Sequence, residues 1–190
     1  NEKGETTTFP LVEQEFNPEA NLVEFLFSPA EVSTDIEQGA IEMATKIINE
    51  LDMVGILAVE LFLDHDDQLF VNEIAPRPHN SGHQTIEGNI TSQFQQHLRS
   101  ISGLPLGDTA IVQPSVMINL LGEKDSSGIA TYEGLDECMS KEGVRMHLYG
   151  KEITKPFRKM GHATILAETI DKAKVNARFV QKNLKIITSK

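Results

Sequence analysis

The chain has a single cysteine, Cys138, in 190 residues. This excludes an internal disulfide framework and a cysteine-based zinc site, and makes a reducing cytoplasm the expected compartment. No stretch approaches the roughly 18 consecutive apolar residues of a membrane span, so no membrane partner is expected. A charged-then-apolar leader is missing too. Asn1 instead runs into polar residues as far as Thr8, which reads as a cut end. There is no repeat and no low-complexity tract. Positive charge is scarce for most of the length: residues 1–140 hold 5 Lys/Arg against 24 Asp/Glu, a balance of −19. Residues 141–190 reverse this, with 12 basic against 4 acidic residues, a balance of +8. The overall charge of −11 argues against a nucleic-acid polymer as partner. An acidic body with a basic end suits a metal on one side of a site and phosphate on the other. A solvated helix face is the plainer account of the basic end.

The 39% of hydrophobic residues suffices for the core of one moderate domain or one and a half small ones. Thr7 to Glu13 and Leu22 to Phe27 read as strands. Thr34-Asp35-Ile36-Glu37 has the pattern of a capping box, and Ile36, Ala40, Ala44, Ile47, Ile48 and Leu51 follow at helical spacing, closing near Gly55. Val54 to Leu63 and Leu69 to Ala75 are apolar runs joined by Asp64-His65-Asp66-Asp67-Gln68, a hairpin signal with poor turn chemistry. Pro76 to Gly82 is expected to be a stiff extended loop, and Thr91 to Ser102 a helix ending at Gly103. Beyond Leu104-Pro105-Leu106-Gly107 come short strands, at Val112 to Leu121, Val144 to Tyr149 and His162 to Ala167, and a last helix from Ile170 to Leu184. The fold class is α+β with mostly antiparallel pairing. The domains are expected over residues 1–105 and 106–190, the second being small and β-rich.

If the hairpin turns between Asp66 and Asp67, Glu60 lies directly opposite Glu73, with Cβ atoms about 4.5–5.5 Å apart. Ile56, Leu57, Val59, Leu61, Phe62, Val71 and Ile74 surround them. Two like charges facing each other in such a setting are destabilising. A divalent cation offsets this, and hard oxygen ligands point to Mg²⁺ or Mn²⁺. A register slipped by one residue, leaving each Glu solvated, is the bland alternative. Arg77, His79, Asn80, Ser81 and His83 follow in the loop. They offer a planar fork for a carboxylate or phosphate, a proton carrier and neutral donors. A proline-stiffened surface loop is the competing account. His79-x-x-x-His83 is not a zincin site, since the intervening Glu is missing.

The run Val59-Glu60, then Val71-Asn72-Glu73-Ile74-Ala75-Pro76-Arg77-Pro78-His79-Asn80-Ser81-Gly82-His83, closely resembles one family of ATP-grasp enzymes. These are the 5-(carboxyamino)imidazole ribonucleotide synthases, the ATPase subunits of phosphoribosylaminoimidazole carboxylase in purine biosynthesis. Tyr149-Gly150-Lys151 to Arg158-Lys159-Met160-Gly161-His162 is similar to that family's C-terminal substrate motif. The resemblance spans nearly the whole chain but only the C-terminal half of such an enzyme.

It implies an ATP-grasp C-terminal half and a ligase that uses ATP and Mg²⁺ (or Mn²⁺) to join bicarbonate to the amine of 5-aminoimidazole ribonucleotide through carboxyphosphate. Glu60 and Glu73 match metal ligands, and Asn72 with Glu73 would border the triphosphate. Arg77, His79 and Asn80 match the residues that hold bicarbonate and carboxyphosphate. Ser81 is assigned to the substrate, and Lys151, Arg158 and Lys159 to its phosphate. A homodimer is implied, and this chain alone is expected to be inactive. Two positions depart from wider patterns: Ala75 stands where many ATP-grasp enzymes have Asn, and Phe16 where this family usually has His. The rival reading is a non-catalytic module that binds a divalent metal and phosphate; another ATP-grasp carboxylase or glycinamide ligase is disfavoured by the His-Asn-Ser-Gly-His string.

Overall fold

A computed structural model describes residues 1–17 and 22–188. In chain order they form β1 (Glu13–Asn17), β2 (Leu22–Ser28), α1 (Thr34–Glu50), β3 (Ala58–Leu63) and β4 (Leu69–Ala75). A turn of 3₁₀ helix at Asn80–Gly82 leads to α2 (Thr85–Gly88) and α3 (Gln93–Ile101). Then come β5 (Ser115–Leu121), β6 (Gly128–Glu133), α4 (Leu135–Met139), β7 (Val144–Leu148) and β8 (Ile153–Thr154). The last elements are β9 (Lys159–Leu166), α5 (Ile170–Asn183) and β10 (Lys185–Thr188). The α+β class with antiparallel strand pairing is as read from the sequence.

Contacts group the chain into two compact units: residues 1–12 with 29–112, and residues 13–28 with 113–190. In the second unit β1-β2-β5-β9-β7 form one sheet and β10-β6-β8 another. The strands β1 and β2 thus pair into the sheet of the C-terminal segment, a long-range partnership that local composition does not encode. The core of this unit is Phe25, Phe27, Val116, Ile118, Met160, Ala163 and Ile165 beneath α5. Ala173, Ala177 and Val180 recur at helical spacing and are fully buried, forming the inward stripe of α5. Lys174 and Arg178 lie over the rings of Phe27 and Phe25, at 4.6 and 5.4 Å. Part of the basic end is therefore cover for aromatic side chains.

The first unit is built differently. Its buried side chains are mostly polar: Gln84, Thr85, Asn89, Thr91, Ser92, Gln93, Gln96 and Ser100. Helix α3 turns Gln93, Gln96 and Ser100 inward and leaves Phe94, Leu98 and Ile101 exposed. Each inward group meets main chain. Gln96 makes two hydrogen bonds to Gly107, and the Ser100 hydroxyl accepts from the Gly55 amide.

Several boundaries differ from the sequence reading. Thr7 to Val12 is not strand, and pairing begins at Glu13, past Pro10, which has no amide to donate. Ser33, not Thr34, caps α1: Ser33 is extended and its hydroxyl accepts from the Ile36 amide. The strand after Gly55 starts only at Ala58. Asn80–Gly82 is a helical turn rather than extended chain. Strands β6, β8 and β10 and the short helices α2 and α4 lack the long periodic signal that would reveal them.

Candidate active site

The β3–β4 hairpin reaches its key pairing by a route the sequence does not suggest. Asp64 organises the turn: its carboxylate accepts from the Asp66 and Gln68 amides at 2.9 and 2.8 Å. Asp67 takes a left-handed conformation, φ 58. This shifts the register by one residue from that assumed, pairing Leu63 with Leu69, Phe62 with Phe70 and Leu61 with Val71. Carried on, that register would set Glu60 opposite Asn72. A β-bulge between Leu61 and Glu60 leaves Asn72 as the extra residue, and Glu60 pairs with Glu73. The expected pairing is present, but turn and bulge together produce it.

His79 joins the two acids. Its Nδ1 lies 3.6 Å from a Glu60 carboxylate oxygen, and its Nε2 lies 3.6 Å from one of Glu73. One ligand atom from each of the three residues falls within 4.8 Å of the others. The side chains of Glu60 and His79 are 16% and 14% exposed, and that of Glu73 is 57% exposed, so the cluster opens on the Glu73 side. The apolar residues around it are less covered than the sequence suggests: Phe62, Phe70, Val71 and Ile74 are all exposed.

The loop carries the remaining candidates. His79 caps the 3₁₀ turn, its Nδ1 accepting from the Ser81 amide at 3.4 Å, and the Ser81 hydroxyl lies 2.9 Å from the same nitrogen. Asn80 is half-buried within the turn, while Asn72 is exposed on β4. Arg77 is exposed, and its guanidinium donates to the Pro78 carbonyl.

Sequence reasoning missed Gln93. Its side-chain oxygen accepts from the His79 amide at 2.8 Å, and its side-chain nitrogen donates to the His79 carbonyl at 2.8 Å. That nitrogen also lies 2.9 Å from His83 Nδ1. A signal did exist. Gln93, Gln96 and Ser100 form a polar stripe at helical spacing, opposite an apolar one, on the helix that follows α2.

In the other unit, Lys151 donates to the Lys159 carbonyl at 2.5 Å and lies 5.4 Å over the Tyr149 ring. Tyr149 hydrogen-bonds His162 Nδ1 at 3.0 Å, and His162 stacks on His147 with centroids 4.3 Å apart. Burial pushes the Tyr149 phenol above its ordinary value. Arg158 donates to the Ile153 carbonyl at 2.8 Å. Lys151 is thus anchored on the Lys159 main chain beside a Tyr–His pair, with Arg158 on the turn that precedes Lys159.

Residues 1–94 match the ATP-grasp domain family, and residues 115–176 match the phosphoribosylaminoimidazole carboxylase C-terminal domain. The chain is 43% identical over 168 residues to an N5-carboxyaminoimidazole ribonucleotide synthase of Bacillus subtilis, covering 88% of this chain and 42% of that protein. Among solved structures it is similar to the N5-carboxyaminoimidazole ribonucleotide synthetase of Thermotoga maritima, with TM-score 0.91 and 43% identity over 100% of this chain and 50% of that one. The Aspergillus clavatus N5-carboxyaminoimidazole synthase, solved with ADP and 5-aminoimidazole ribonucleotide, gives TM-score 0.80 and 36% identity over 92% and 46%. The chain therefore spans half or less of the length of these relatives.

Proposed function

We propose, on the premise that this chain belongs to the ATP-grasp superfamily and carries a phosphoribosylaminoimidazole carboxylase C-terminal domain, that its full-length protein is an ATP-dependent carbon–nitrogen ligase. The reaction is carboxylation of 5-aminoimidazole ribonucleotide by bicarbonate in purine biosynthesis. A bicarbonate oxygen attacks the γ-phosphorus of ATP and ADP leaves. The resulting carboxyphosphate yields its carboxyl group to the amine of the ribonucleotide, and inorganic phosphate leaves. The observation that carries this reading is the Glu60–Glu73 pair bridged by His79.

Two carboxylates and an imidazole within 4.8 Å of one another form a donor set that suits Mg²⁺ or Mn²⁺, held chiefly by Glu60 and Glu73. A cation bound there would neutralise phosphate oxygens during phosphoryl transfer. Asn72 borders the triphosphate beside Glu73. Arg77, His79 and Asn80 hold bicarbonate and carboxyphosphate, Arg77 by swinging its fork away from the Pro78 carbonyl. Ser81 contacts the substrate, and Lys151, Arg158 and Lys159 grip its phosphate as positive charges. Carboxyphosphate hydrolyses readily, so the completed site must exclude water. The protein acts as a homodimer in the cytoplasm in this reading.

The test is a titration of Mn²⁺ and ATP into the full-length protein and its Glu73→Gln variant. Loss of one carboxylate is expected to weaken metal–nucleotide binding by at least about tenfold, or roughly 1.4 kcal/mol. Equal affinity in the two proteins would remove the role assigned to Glu73. Tight metal and nucleotide binding without bicarbonate-dependent turnover would favour the non-catalytic module instead.

A further inference from the structure

We infer that Gln93 is the positioning residue for His79, an inference that rests on the ligase reading above. One side-chain amide closes on both main-chain hydrogen-bonding groups of His79, accepting from its N–H and donating to its C=O, each at 2.8 Å. Such a two-point grip holds His79 in its extended conformation, φ −123 and ψ 156. That conformation aims the Cα–Cβ bond, and so the imidazole that reaches both Glu60 and Glu73.

The grip is itself held. Gln93 is 3% exposed, and its backbone amide donates to the Thr85 hydroxyl at 2.8 Å. That hydroxyl donates in turn to the Gly82 carbonyl at 2.6 Å, at the far end of the His79 turn. Gly82 leaves room for this: a Cβ there would sit 2.6 Å from the Gln93 side-chain oxygen. The amide can adopt one orientation only. The His79 N–H requires an acceptor and the His79 carbonyl a donor, so rotation by half a turn would oppose like groups at both contacts. Glutamate has the shape of glutamine without the donor, and leucine has nearly the volume without either group.

These two substitutions separate positioning from packing. Gln93→Glu and Gln93→Leu in the full-length protein are expected to lower kcat/KM for bicarbonate by about 10–100-fold, the scale of a small misplacement of a reacting group. KM for ATP should change by less than about twofold, and more ATP should be hydrolysed per product formed, because carboxyphosphate would be less firmly held. Backbone amide exchange at His79 in the same proteins should rise at least about tenfold. Circular dichroism and the melting temperature identify which variants are folded. A folded Gln93→Glu or Gln93→Leu protein with wild-type bicarbonate KM, wild-type coupling and unchanged exchange at His79 would overturn the inference. Absence of bicarbonate-dependent turnover in the wild-type protein would instead overturn the ligase reading, and the exchange measurement would still decide whether Gln93 holds His79.

Discussion

At the scale of single residues, the candidate site combines two kinds of side chain. Glu60, Glu73 and His79 announce themselves, because like charges across a hairpin and an imidazole in a proline-bounded loop are chemically conspicuous. Gln93 does not. A glutamine on a helix ordinarily reads as solvated surface, and only the fold shows that it is buried against the main chain of the loop. The glycine beside it makes the packing testable. In Gly82→Ala the new methyl carbon would stand 2.6 Å from the Gln93 side-chain oxygen and 2.8 Å from its Cδ. Gln93 is buried and hydrogen-bonded at both amide atoms, so it cannot move aside cheaply. The expected cost is about 1–3 kcal/mol, the range for overpacking, read as a lower urea midpoint at constant slope. An unchanged midpoint would mean that the amide yields without loss.

At the scale of elements, the helix starts differ in how they are secured. At α3 the Ser92 hydroxyl accepts from the Gln95 amide at 3.2 Å, and the Gln95 side chain returns the bond to the Ser92 amide at 2.9 Å. At α1 Ser33 makes one exposed contact at 3.4 Å, with no return bond. Ser92→Ala is therefore expected to cost about 1–2 kcal/mol and Ser33→Ala roughly 0.5 kcal/mol, measured by urea unfolding of the two variants side by side. Equal costs would contradict the difference in capping. The sequence reading located the α1 start to within a residue but assigned the wrong cap, because serine and threonine are adjacent and either can serve. For the hairpin it found both strands but missed the bulge. A one-residue bulge leaves no compositional mark, yet without it Glu60 would face Asn72.

Across the whole molecule, three weakly acidic groups that lose hydration in the fold, the buried Cys138 and the partly covered Tyr132 and Tyr149, set a common pH response. Burial pushes the Tyr132 and Tyr149 phenols and the Cys138 thiol above their ordinary values, with Glu137 adding to the rise at Cys138 and Lys141 opposing it. In the unfolded chain these groups lose their protons near 8.5 for the thiol and 10 for the phenols. The unfolded state then binds fewer protons than the folded one, so this stability is complete below about pH 8.5 and is lost as pH rises further. The urea midpoint should fall between pH 7 and pH 10.5, and Cys138→Ala should remove the earliest part of the decline; a flat profile would refute this. Charge shows a similar division between what is legible and what is not. The excess of cations in the last fifty residues is plain from the sequence, but their two employments are not: Lys174 and Arg178 lie over Phe27 and Phe25, while Lys151 lies over Tyr149 and donates to the Lys159 carbonyl. The amino-acid order alone was enough for the α+β class, the hairpin and the candidate acids Glu60 and Glu73, since apolar periodicity and residue type are local properties. Three-dimensional packing was needed to join the β1–β2 pair to the sheet through β2 and β5, to shift the register at Asn72 and to turn the polar face of α3 inward. Each of these depends on partners distant in the chain, or on where a backbone amide finds its acceptor, and neither is written in any short stretch of sequence.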